Sequence, residues 1–438
     1  MTPRRRTTPP TTTNPAPGVH EPQSRRRRTA ISTTNRNLDG YEPQSRRKGR
    51  GGVALVGLAM VLAACGGGSD DDGAGDGPAP GTTAAEAGSA LDLAEVCPAT
   101  VVMQQDWQPQ AEHGAMYELV GEDHEIDTEA KSVTGSLVAG DVDTGVQIEV
   151  RPGGPNVGFQ SVAALMYLDD DITVGAVNTD SAIVNHEAQP TVAVVSQLTV
   201  SPQILMWDPE TYPEAETVED IVATDATVVT SGPVLPALVA STTEFDLSRS
   251  DTSYEGTPAR FVSDPSIVQQ GLLTNEPYVY ENEVEPWGRP VASGLLAEVG
   301  HSTYPGPVAV RADRVEELAP CLERLVPVLQ QSQIDFLADP GPATDLILDL
   351  VESYQLSWTY SEGVAQYSVE TQLAEDLVHD DPASGTFGAF DPERMQEIVD
   401  TYLPVLVDQG AVSFDTLDPA QLYTNEYLDD SISMADQS

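Results

Sequence analysis

The sequence predicts an α/β protein with mostly parallel strands, and three observations carry that expectation. From residue 98 to about residue 313, short apolar runs alternate with longer amphipathic segments, the pattern of strand–helix–strand units. Beyond residue 313 the strand signals cease and amphipathic helices follow one another. The 438 residues, 40% hydrophobic and 6% aromatic, are too many for one small domain and suit two or three lobes, each able to bury a core. No repeat of fixed period is present.

Taken in order, Thr100–Met103, Gly145–Val150, Ile172–Val177, Val192–Val195, Ile204–Trp207 and Ala226–Val229 read as strands. Helices are expected over Glu112–Leu119, Val157–Tyr167, Asp180–Glu187, Val218–Ala223, Pro233–Ser241 and Pro265–Leu273. The terminal group, Arg314–Leu337, Pro342–Tyr354, Ser361–Leu377 and Pro392–Gln409, is divided by Pro and Gly. Asp391-Pro392-Glu393 is a good helix start, with a capping carboxylate, proline at the first position and negative charge facing the dipole. The acidic tail, 426–438, is expected to fray.

The first 64 residues read as an address. Residues 1–50 are a basic leader without apolar periodicity, expected to be disordered. Arg46-Arg47-Lys48-Gly49-Arg50 then gives way to an uncharged apolar run over 51–64, the layout of a secretory signal. Its 14 residues would span about 21 Å as a helix, short of the roughly 30 Å of a bilayer core. Leu62-Ala63-Ala64-Cys65 resembles the bacterial lipobox, which implies a lipidated Cys65 and anchoring on the extracytoplasmic face of the membrane. The Gly-, Asp- and Ala-rich segment after it, within 65–95, reads as a flexible linker. Its Asp70-Asp71-Asp72-Gly73 lacks the alternating ligands and closing Glu of a calcium loop.

Charge excludes whole classes of partner. Residues 1–50 hold 12 Lys/Arg and 3 Asp/Glu, which leaves 9 basic and 66 acidic residues in the rest, a net charge of −57. A body so acidic does not suit nucleic acid or a basic membrane-binding face. It reads as a solvated surface fit for a saline environment, with ordinary exported-protein acidity as the alternative. Outside the cytoplasm thiols oxidise, so Cys97, before the first strand, and Cys321, in a helix, are expected to be bridged; two separate buried thiols are the alternative. No C-x-x-C or H-E-x-x-H spacing supports a metal site, and no cofactor is implied.

One stretch names a family. Val101–Tyr117 resembles the opening of the substrate-binding components of ABC importers related to thiamine-pyrimidine, nitrate, sulfonate and taurine transport. In the pyrimidine branch the first strand ends in Asp-Trp, a Pro turn follows, and a His and a Tyr lie on the first helix. Here these are Asp106, Trp107, Pro109, His113 and Tyr117, with Gln110 where that branch has Asn. The likeness continues through Asp171–Ala182, Gln203–Thr230, Gly271–Tyr278 and Tyr304–Pro307, covers roughly residues 98–335, and weakens through Asp391–Asp400. It implies a two-lobed periplasmic-binding-protein-like fold of type II, each lobe a mostly parallel sheet flanked by helices, with extra C-terminal helices. Lobe one would comprise 96–195 and 296–425, lobe two 196–295.

The implied ligand contacts are Asp106, Trp107, His113, Tyr117, Asp180, Ser181, Ser231, Asn275, Glu276 and Tyr278. Their chemistry suits the role: Trp107, Tyr117 and Tyr278 offer faces to a flat ring, and Asp106 and Glu276 would accept hydrogen bonds from ring amino groups. Ser181 and Ser231 sit at helix starts, where hydroxyls and free N–H groups can hold an anion. Each has a plainer alternative: Trp107 as core, Asp106 as a helix cap, His113 as a structural histidine, Asn275-Glu276-Pro277 as a turn. The implied function is a monomeric, lipid-anchored receptor that closes on a small molecule, best a pyrimidine-like N-heterocycle, and presents it to a permease. The alternatives are a sulfonate-, nitrate- or taurine-type anion-binding protein and a pyrimidine-synthesis-like enzyme of the same fold. Against the enzyme stand the export signal and the absence of G-x-S-x-G or clustered His and Cys.

Overall fold

Two separate sheets organise the chain. The computed structural model describes residues 78–437 apart from residue 255 and 356–359, all within the unit Gly73–Ser438. The leader, the apolar run and Cys65 lie outside the described residues.

The strands in chain order are β1 (Thr83–Ala84), β2 (Thr100–Gln104), β3 (Glu125–Asp127), β4 (Ser132–Ala139), β5 (Val142–Arg151), β6 (Ile172–Ala176) and β7 (Thr191–Val195). They continue as β8 (Gln203–Trp207), β9 (Val228–Val229), β10 (Ser250–Asp251), β11 (Val268–Leu272), β12 (Ala292–Leu295) and β13 (Val308–Arg311). The first sheet has the order β3-β4-β5-β2-β6-β13-β7, with β1 on β5; the second is β10-β9-β11-β8-β12. The second sheet is thus drawn wholly from residues 203–295, and the chain then returns to lay β13 between β6 and β7.

The α/β class is as expected, but the strands are not mostly parallel. Five of the eleven pairings are parallel and six antiparallel. The cause is local: β4 and β5 are joined by a tight turn with Gly140 at φ +57, and a two-residue connection can only return antiparallel. β13 likewise enters between two neighbours that run against it. Pro265–Leu273 is not a helix but contains β11, whose Gln269 is fully buried and donates to Tyr280 Oη at 2.9 Å.

The helices are α1 (Gly114–Glu118), α2 (Val162–Leu168), α3 (Thr179–Asn185), α4 (Val218–Val222), α5 (Val234–Thr242), α6 (Ala259–Ser263), α7 (Glu276–Asn282), α8 (Val315–Ala338), α9 (Gly341–Ser353), α10 (Glu362–Ala374) and α11 (Pro392–Asp408). The longest, α8, buries Leu318, Leu322, Leu325, Leu329 and Phe336 at the three- and four-residue spacing of an apolar stripe, against α1 and β7. At α11 the Asp391 carboxylate accepts from the amides of Glu393 and Arg394. Cys97 and Cys321 are bridged, with Cα atoms 4.6 Å apart, tying the segment before β2 to α8.

Two segments expected to be loose are docked. Within the expected linker, β1 pairs with β5, the Ala79 amide donates to Asp143 at 2.8 Å, and Leu93 is fully buried. In the tail, Tyr427 is buried, Leu428, Ile432 and Met434 pack against the main core, and Ile432 O accepts from the Phe387 amide. Apolar residues spaced among the small and acidic ones suffice to anchor each segment.

The segments that join the sheets, 196–202 and 296–307, meet at one side chain. Arg394 on α11 donates to Thr199 O at 2.6 Å, Ser302 O at 2.9 Å and Thr303 O at 3.3 Å, with its guanidinium 3.8 Å from the Tyr304 ring centre. Among the described residues no helix is long and apolar enough to cross a membrane.

Candidate functional site

β2 and β6 lie side by side and parallel in the first sheet, yet the chain leaves them in opposite directions. From β2 it runs to the β3-β4-β5 flank, and from β6 to β7 on the other side. Such a point leaves a crevice beyond the carboxyl ends of the two strands. A cleft of about 230 Å³ occupies it, lined by Asp106 and Trp107 after β2, Gln160, Ser161 and Val162 at the start of α2, and Ala176, Val177, Asn178 and Ser181 after β6.

Asp106 is the charged centre of this cleft, with its side chain 27% exposed. His113 Nε2 donates to its Oδ1 at 2.9 Å, and Asn178 Nδ2 donates to its Oδ2 at 2.7 Å. Asn178 is itself fixed, its Oδ1 accepting from the Gly306 amide at 2.9 Å. Burial by itself would raise the Asp106 pKa, but the His113 and Asn178 hydrogen bonds and the His113 charge outweigh it and hold the carboxyl below its ordinary value. Asp180 behaves oppositely: burial, reinforced by the like charge of Asp106, raises it against the amide of Ser181. Asp106 stays ionised, and a carboxylate with about four acceptor sites keeps capacity for a ligand donor. Among the described residues no Lys or Arg lines the cleft.

Trp107 is set by the loop that follows β5. Gln104 Nε2 donates to Arg151 O and Pro152 O, and the Gly153 amide to Trp107 O at 2.7 Å, so the loop folds under the indole. Gly154 sits against the ring at φ +59; a β-carbon there would lie 2.7 Å from Trp107 Cε3, which leaves room for hydrogen alone.

The expected site residues divide into groups. Asp106, Trp107 and Ser181 line the cleft, His113 holds Asp106 from beside it, and Asp180 feels the Asp106 charge. Tyr117 is corrected: it is 2% exposed within the main core, because three residues past Gly114 the helix has turned that side chain inward. Ser231, Asn275, Glu276 and Tyr278 belong to the second sheet's elements and contribute nothing to the lining. Ser231 bonds Gln270 Oε1 through its amide at 3.0 Å and its hydroxyl at 3.2 Å, and Tyr278 lies 5.6 Å from Tyr367 on α10. Asn178, Gln160 and Ser161 were missed. The signal for Asn178 was its place, a polar residue directly after an apolar strand, as Asp106 is after β2.

Glu112, also missed, is not part of the cleft lining and is tied to an element of the second sheet's segment. Its Oε1 accepts from Thr274 Oγ1 in the turn before α7. Burial raises the Glu112 pKa, the Thr274 bond partly offsetting it. Glu276, whose Oε2 accepts from the Leu272 amide at 2.7 Å, is pushed up to about 7 by burial, with the Glu112 charge adding. A carboxyl whose folded pKa exceeds its unfolded value of 4.5 takes up a proton on folding. Its contribution is therefore complete below about 4.5 and is lost as pH rises to about 7. Glu276→Gln should raise the melting temperature by a few degrees at pH 8 and change it little at pH 4.5; equal shifts at both would contradict this assignment.

Among the described residues no group of three or more His, Cys, Asp or Glu is placed to hold a metal. No family model and no curated protein matches the sequence. Solved structures similar to it include the periplasmic aliphatic sulphonate binding protein SsuA from Escherichia coli, at 12% identity and a TM-score of 0.47, covering 76% of this chain and 94% of that one. Another is the ligand-binding component of an ABC-type import system from Staphylococcus aureus, solved with zinc bound, at 10% identity and 0.45, covering 76% and 99%. A third is the periplasmic nitrate-binding protein NrtA from Synechocystis, at 9% and 0.43, covering 75% and 87%.

Proposed function

We propose that this protein is an extracytoplasmic solute-binding protein of an ABC importer, anchored through lipid on Cys65, that captures a small nitrogen heterocycle and presents it to a permease. The observation that carries the ligand class is Asp106, held ionised by His113 and Asn178 in a cleft walled by Trp107. An ionised carboxylate with spare lone pairs attracts N–H donors and cations. In a cleft with no Lys or Arg among its described lining residues it repels sulfonate or nitrate. A flat ring with an amino group satisfies both walls, its face on the indole and its N–H on the carboxylate.

Capture needs no bond made or broken. Residues 96–195 with 296–425 would form one lobe and 196–295 the other, moving about 196–202 and 296–307, and the ligand would bias that equilibrium by binding the closed form better. Recovery of the bound molecule unchanged supports a receptor over an enzyme; its conversion would favour the enzyme.

A thermal-shift screen of the full chain against pyrimidines, flavins, sulfonates and nitrate tests the ligand class. Pyrimidines should stabilise it, and stabilisation by oxyanions alone would end the heterocycle reading. Asp106→Asn should weaken pyrimidine binding roughly 10- to 100-fold, the worth of a hydrogen bond to a charged group. Trp107→Ala should abolish it with the fold intact; unchanged affinity in either variant removes that residue from the site.

A further inference from the structure

Among the described residues Phe159 is the one large apolar side chain beside the cleft that is mostly in water, 70% exposed. It is also held in an unfavourable backbone conformation. Gly158 and Phe159 follow each other in the left-handed region, at φ +64 and φ +60, where a bulky residue is rare. The surrounding turn imposes this, since the Phe159 amide donates to Gly154 O at 2.9 Å and the Gly158 amide to Pro155 O at 3.2 Å. Glycine would satisfy that turn without strain and without exposing a ring. Exposure and strain occur together where the ring faces Trp107, with centroids 6.1 Å apart and planes tilted by 46°.

We propose that Phe159 and Trp107 form an aromatic clamp that takes a flat ring between them, a reading that rests on this cleft being the ligand site. Trp107 is the fixed wall, seated on Gly154 and tied through its carbonyl to the Gly153 amide. Phe159 is the wall that moves. A ring held between two others needs about 7 Å from wall to wall, two contacts of about 3.5 Å. The spacing falls a little short of this and the tilt is too great, so the two rings lean together. A rotation of the exposed Phe159 side chain opens the slot, and nothing packed in the core has to shift. Gln160 and Ser161, directly after Phe159, line the same cleft, so an edge group on a ring so held lies within a polar surround that includes Asp106. The clamp selects for flatness and Asp106 for the N–H donor, two separate requirements on one ligand.

Calorimetric titration of the full chain with 4-aminopyrimidine, and with cyclohexylamine as a non-planar amine, tests this. Phe159→Ala should weaken 4-aminopyrimidine binding about tenfold and leave cyclohexylamine within twofold, while Phe159→Trp keeps the affinity. Phe159→Gly should raise the melting temperature by relieving the backbone yet weaken the same binding, opposite signs that a purely structural residue would not give. If Phe159→Ala binds 4-aminopyrimidine as the wild type does while Trp107→Ala does not, the clamp is overturned and the cleft stands. An equal loss for both probes also overturns it, as general apolar contact. If the wild type binds no flat amine, the clamp and the reading of the cleft fall together.

Discussion

Replacing Cys97 and Cys321 with alanine is expected to lower the free energy of unfolding by as much as about 5 kcal/mol, the chain-entropy value for closing a loop of this length. The bridge spans 224 positions and so encloses β2 to β13, every strand but β1, together with the residues that line the cleft. Most of the loss comes from the unfolded chain, which gains freedom when the loop is opened, so the folded structure should survive at room temperature. Guanidinium unfolding of the wild type and the double variant, both without reductant, measures the difference. A loss below about 1 kcal/mol would mean that the unfolded chain is already compact.

Gly114→Ala should destabilise the protein by roughly 2 kcal/mol or more, although the same exchange inside an exposed helix stabilises by about 1 kcal/mol. Gly114 opens α1 where the fully buried Phe336 ring of α8 lies against it, and a β-carbon would fall 2.2 Å from Phe336 Cζ. A rigid ring in a filled core cannot retreat by the ångström needed, so the strain of overpacking exceeds the gain in helix propensity. The consequence reaches the cleft. His113 directly precedes α1, and pushing the helix off α8 moves Nε2 away from Asp106. The variant should therefore also bind a pyrimidine less tightly. A variant that melts at or above the wild-type temperature would show that α1 can shift without cost.

Much of this was legible in the sequence. β2, β6, β7 and β8 are short apolar runs between turn residues, and their expected bounds fall within a residue of the observed ones at either end. Asp106 and Trp107 stood out because a charge and an indole follow directly on such a run. Asn178 occupies the equivalent place after β6 yet reads as a turn residue until Asp106 is seen beside it. β11 was hidden because a strand carrying Gln269 and Gln270 lacks the alternation that marks one; Gln269 is buried against Tyr280, a partner invisible from the sequence. The β4–β5 hairpin was half found, since its first strand mixes Gly135 with Ser and Thr. The docking of 78–95 and 426–434 depends on single apolar residues meeting a distant core, and no local pattern records that.

The threading of β13 sets an order on assembly. β6 and β7 are not paired with each other; each pairs with β13, whose last residue is Arg311. While a chain emerges amino end first, every strand of the second sheet is available before the first sheet can be completed. Until β13 arrives, β6 and β7 each carry an unpaired apolar edge, the kind of surface on which nascent chains aggregate. The cleft at the ends of β2 and β6 thus takes its final form late, after the second sheet's strands have emerged.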